Sequence, residues 1–131
     1  MQILCQNNKN DYLIDIIRLF IQHKTDVNWK NNKKWNVLQL LCKNYSNDNL
    51  INIVQLLIDN EIDVNHTANE GNALHLLCKY YPNGNIIDIF QLLINNGIIV
   101  KFKGGDPRIL IRQNRNQENN ISALQFLNQY L

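Results

Sequence analysis

The chain has 131 residues, the length of one domain, and it is 45% hydrophobic and 18% charged, which excludes a disordered tail. No apolar run reaches the roughly 20 residues that span a bilayer, and no basic stretch followed by an apolar block leads the chain, so neither a membrane span nor a secretory signal is expected. A formal net charge of +2 is too weak to point to nucleic acid, and three cysteines without a close pair point to a reducing, cytoplasmic setting.

In chain order, the first element is the apolar stripe Ile14, Ile17 and Phe20 inside "ILCQNNKNDYLIDIIRLFIQHKTDVN". Its spacing predicts a helix. "NVLQLLCKNYSNDNLINIVQLLIDNE" follows at residues 36–61, and nearly the same text returns at 72–97 as "NALHLLCKYYPNGNIIDIFQLLINNG". Cys5, Cys42 and Cys78 are spaced 37 and 36 residues apart, and Val27, Val64 and Val100 repeat the same two intervals. Two independent markers share one period, so the chain builds one unit several times.

Each unit holds two apolar segments. In the third, Ala73, Leu74, Leu76, Leu77 and Cys78 form the first, and Ile86, Ile87, Ile89, Phe90, Leu92, Leu93 and Ile94 form the second. Both patterns fit helices that bury a wide face. The joining "SNDN" and "PNGN" are turn formers. Asn49 and Asn85 stand where a side chain can cap the second helix, and Gly97 stands where a left-handed residue can end it. A short helix pair cannot bury both faces alone, whereas stacked pairs can, which predicts a solenoid.

Residues 98–120, "IIVKFKGGDPRILIRQNRNQENN", break the period: Leu74 to Leu124 spans 50 residues. Val100, Phe102, Ile109 and Ile111 alternate with Lys101, Lys103, Leu110 and Arg112 around "GGDP". That alternation predicts an elongated β-finger over about residues 99–112. Lys101, Lys103, Arg108, Arg112 and Arg115 make it basic. "SALQFLNQYL" aligns Ala123 and Leu124 with Ala73 and Leu74 and reads as a partial last unit. The expected organisation is one domain over 1–131, with repeat one at 1–30 (N-terminally incomplete), repeat two at 31–66, repeat three at 67–100, an inserted finger at 101–120 and a partial repeat at 121–131.

"NALHLLC" resembles the T-P-L-H-x-A-A signature of ankyrin repeats, and "IVQLLIDNEIDVN" resembles the family's I-V-x-L-L-L-x-x-G-A-D-V-N tail. The resemblance covers residues 1–100 and resumes near 121. Asn36 and Asn72 replace the family's Thr, and Val37 and Ala73 its Pro; only His75 keeps the His, with Gln2, Gln39 and Gln125 elsewhere. The resemblance implies an all-α helical solenoid with β-hairpin links, in which this His supports the turn by hydrogen bonding and Gln can do likewise.

It also implies a non-catalytic protein–protein interaction module without cofactor or metal. The partner would meet finger tips and the ends of the first helices, on the concave surface. Carried over by position, the contacts are Asn32, Lys33 and Trp35 on the first finger, Ala68, Asn69 and Gly71 on the second, and Lys43, Asn44, Lys79 and Tyr80 on the helix ends. Lys101, Lys103, Arg108 and Arg112 of the predicted basic finger complete the set.

For Trp29 and Trp35, which flank "KNNKK", exposed contact and packing across the finger base are both open, as are contact and packing for Tyr80 and Tyr81. The cysteines recur at a small-residue position and read as packing rather than zinc ligands. No Gly-rich phosphate loop or nucleophile elbow occurs, so no enzyme is expected.

Asn makes up roughly one residue in six, and the bias to Asn, Ile and Lys matches AT-rich codons. An intracellular bacterium, protist or virus would show that bias, and a host-directed effector is one alternative. Nucleic-acid binding through the basic finger is a second. A spacer within a longer array, self-associating through uncapped ends, is a third.

Overall fold

The computed structural model describes residues 13–22, 26–101 and 105–131. Among them are seven helices: α1 Leu13–Gln22, α2 Val37–Asn44, α3 Leu50–Asp59, α4 Ala73–Tyr80, α5 Ile86–Asn95, α6 Pro107–Gln113 and α7 Asn120–Asn128. They stack in two rows. α2, α4 and α6 pack in succession as an inner row, and α1, α3, α5 and α7 pack in succession as an outer row. Leu38, Leu41, Leu74 and Leu77 of the inner row and Ile53, Leu57, Ile89 and Leu93 of the outer row are all at 0% exposure. Cys42 and Cys78 lie buried among them, and burial pushes both thiols up, which keeps them protonated. Cys5 lies outside the described residues.

The stretch expected to form a long β-finger does something else. Asp106 adopts extended backbone, its carboxylate accepts from the Arg108 amide at 2.9 Å, and Pro107 opens helix α6. A cap followed by proline is a strong helix start, because proline has no amide to leave unpaired and its φ is preset. α6 takes the place of a first helix, on α4, and α7 takes that of a second, on α5. Asp106 follows Asn72 by 34 residues, and Leu127 follows Leu93 by the same interval. Residues 105–131 are therefore a complete fourth unit. The alignment of Ala123 and Leu124 with Ala73 and Leu74 is corrected: their counterparts are Ile89 and Phe90. Phe102 and Lys103 lie outside the described residues.

The hairpin links are short. In the first, Asn31 Oδ1 accepts from the amides of Lys33 and Trp35 at 3.0 and 2.9 Å, and Lys34 takes a positive φ of 68°. The second closes with paired bonds between Ala68 and Gly71 at 3.2 and 3.0 Å. Among the described residues, the bridges with both partners placed are the single pairs Lys30–Asn36 and Ala68–Gly71.

Asparagine has a structural use here. A short amide side chain can both donate to and accept from a neighbouring backbone. Asn28 donates to Glu61 O at 3.1 Å and accepts from Asp63 N at 2.8 Å; Asn65 donates to Gly97 O and accepts from Ile99 N, both at 2.8 Å. Asn36 and Asn72 cap α2 and α4 and also donate to Asp63 O and Ile99 O of the following turns, at 3.2 and 3.0 Å. Asn85 donates to Asp48 O and Asn119 to Gly84 O, each at 2.9 Å. Asn49 and Asn85 precede their helices as expected but do not cap them; Asn85 Oδ1 instead accepts from the Tyr81 hydroxyl at 2.7 Å, and Asn49 Oδ1 from the Tyr45 hydroxyl. Gly97 does end α5 with φ 90°, and Glu61 occupies the same place after α3 with φ 68°.

Candidate functional site

The ends of α2 and α4 and the second hairpin bring several predicted contact residues together around one that sequence reasoning missed, Glu70. Its carboxylate receives Lys43 Nζ at 3.1 Å, Lys79 Nζ at 3.2 Å and the Tyr80 hydroxyl at 2.6 Å. Burial alone would raise this carboxyl, but the bonds from Tyr80, Lys43 and Lys79 outweigh it and hold the group at about 2. Lys43 Nζ also lies over two rings, 4.9 Å from the centroid of Trp35 and 5.5 Å from that of Tyr80, and Lys79 Nζ lies 5.2 Å from the Tyr80 centroid. The Trp35 indole N–H donates to Asn69 Oδ1 at 3.3 Å. Asn31, Lys33, Trp35, Lys43, Asn69 and Glu70 line one open cleft between the first two hairpins.

Not all the expected contacts are on the surface. Trp35 is 4% exposed and Gly71 is buried, and packing is the resolved reading for Trp35, only the edge of whose ring reaches the cleft. Trp29, at 43%, is the exposed tryptophan. Asn32, Lys33, Asn69, Lys79 and Lys101 are exposed, while Lys43, Asn44, Ala68 and Tyr80 are half-buried. Arg108 and Arg112 are on helix α6 rather than a finger, and Arg108 is held by Asp106 at 2.7 Å. Lys103 lies outside the described residues.

The buried pair beneath this surface shows why His and Gln alternate. Gln39 Nε2 donates to Gly71 O at 3.1 Å, and His75 Nε2 donates to Gly105 O at 3.2 Å. Both bonds tie one unit to the hairpin of the next. Burial depresses the His75 pKa, and the Gly105 bond and the Asp106 charge only partly offset it, so the neutral ring is favoured at this position. Among the described residues no group of three His, Cys, Asp or Glu could hold a metal ion, and no helix is long and apolar enough to cross a membrane.

The family model for ankyrin repeats, in three copies, matches residues 2–103. The chain belongs to the ankyrin-repeat family. These repeats generally mediate protein–protein interaction and are generally non-catalytic. The match ends just before α6, so the fourth unit of this ankyrin stack is defined by its packing and not by its sequence likeness. No curated protein matches the chain.

Proposed function

We propose that the chain is a non-catalytic binding module that takes an acidic segment of a partner protein across its finger-side face, over the Lys43–Glu70–Lys79–Tyr80 cluster. The observation that carries this reading is the excess of exposed acids on α3, α5 and the turns after α3, against an excess of lysines on the finger side. Exposed Asp59, Glu61, Asp63 and Asp88 lie on the outer helices and the turns after them. Lys33, Lys34, Lys43, Lys79 and Lys101 lie on the hairpins and inner helix ends. Glu70 holds Lys43 and Lys79 in place, so less side-chain ordering is left to the moment of binding. A lysine row beside half-buried Tyr80 suits carboxylates on an extended chain.

The test is fluorescence anisotropy with a fluorescein-labelled, Glu-rich extended peptide, using the intact chain and a Lys33→Glu/Lys79→Glu variant. Both positions are exposed, so the fold should survive, as a circular-dichroism melt would show. Binding weakened at least about tenfold in the variant supports the reading. Tighter binding of a single-stranded oligonucleotide of equal charge, with a steep salt dependence, would replace it with nucleic-acid binding.

A further inference from the structure

Beyond the finger-side face, we infer that the far face of the fourth unit, formed by α6 and α7, is a docking groove for an acidic amphipathic helix of a partner protein. The face is helix-accepting by construction. One unit earlier, His75 reaches the next hairpin at Gly105 O, and Phe90 stacks on Phe126 of the next helix with centroids 6.1 Å apart. The counterparts of His75 and Phe90 in the fourth unit are Ile109 and Leu124. In unit three these two positions meet the next hairpin and the next helix.

Another ankyrin unit is a poor occupant. Leu74 and Cys78, each at 0% exposure, are replaced here by Arg108 and Arg112. Burying two guanidinium groups under an apolar helix pair is strongly unfavourable unless each is paired, and among the described residues only Arg108 of the two has a carboxylate bound to it. Nor is the face a plain polar cap. Ile109 is 51% and Ile121 71% exposed, and Arg112, Asn120, Ile121 and Leu124 line one shallow cleft. Ile109 and Arg112 are three residues apart on α6 and share its surface.

The charge of the occupant follows from the arginines that stay open. Asp106 already pairs with Arg108, and Glu118 accepts from Gly84 N at 3.1 Å in the loop of the preceding unit. Arg112 and Arg115 are exposed. A second copy docked through the same face would set arginine against arginine. A helix with a leucine stripe edged by glutamate meets both the apolar and the basic parts.

The probe is a fluorescein-labelled peptide with Leu at positions i, i+3, i+4 and i+7 and Glu on both flanks, titrated by anisotropy. Saturable binding is expected, weakened about tenfold or more by Arg112→Glu or Ile121→Asp, both at exposed positions whose melts should match the parent. Arg112→Glu should bind the Lys-flanked version of the peptide better than the parent does. The Lys33→Glu/Lys79→Glu variant should keep its affinity for the helical peptide, which separates this inference from the finger-side reading. Absence of saturable binding, or equal binding of the Lys-flanked peptide by the parent, overturns it. So does a concentration-dependent dimer abolished by Ile121→Asp, or anionic vesicles outcompeting the peptide.

Discussion

Units two and three are near-copies, yet they solve the same junction with different residues. Unit three uses Gly71 and His75; unit two puts Trp35 and Gln39 at the matching places. Gly71 has φ 104°, and a Cβ there would come within 2.9 Å of the His75 side chain. Unit two moves the positive φ back one residue, to Lys34 at 68°, which frees the next position for a large ring. That ring packs, bonds Asn69 and carries Lys43 on its face. The lesson is that the pair is the unit of exchange, while the bond to the next hairpin and the Asn36 and Asn72 caps are common to both.

Substitutions can break this equivalence, most severely at the tryptophan. Trp35→Ala should cost about 3–4 kcal/mol in denaturant unfolding, since the ring is almost fully enclosed. Gly71→Ala should cost about 2–3 kcal/mol, from positive φ and the clash with His75 together, and His75→Gln should return part of that loss. His75→Ala alone should cost about 2 kcal/mol by stranding the Gly105 carbonyl, while His75→Gln should cost less than about 1 kcal/mol.

The comparison also sharpens with pH. The folded His75 pKa lies below its ordinary 6.5, so its contribution is fully present above that value and is lost as pH falls below it. His75→Gln should flatten the stability profile there. Glu70, lowered from 4.5 to about 2, adds a second loss between those two values, absent in Glu70→Gln. The smallest effect is a gain. Glu61 holds the left-handed position that Gly97 fills one unit later, and Glu61→Gly should stabilise by about 0.5–1 kcal/mol. An equal or lower denaturation midpoint would contradict that.

The stack itself was legible, because a period marked twice over, by cysteine and by valine, leaves one register. The fourth unit was not. Ile109 and Ile111 alternate with Leu110 and Arg112 as a strand would, and the preceding glycines look like a hairpin tip. The signal that decides otherwise is local: Asp106 before Pro107 sets a capped helix start, which overrides a short alternation. The 34-residue interval hid it further, since the earlier units are 36 and 37 apart. Glu70 escaped because an acid next to a turn glycine looks like ordinary surface. Its importance lies in three donors that come from two other helix ends, a convergence visible only once the units stack. The asparagine excess likewise has a physical reading beyond codon bias, in bonds from one unit's side chains to a neighbouring unit's backbone.

The account rests on residues 105–131 being a stacked helix pair, because both the end groove and the extent of the finger-side face depend on it. Backbone 13Cα chemical shifts over residues 107–113 measure this directly. The account predicts an unbroken run of positive, helical secondary shifts from Pro107 to Gln113. Negative, extended shifts across Ile109 to Arg112 would contradict it and restore a β-finger in place of the fourth unit.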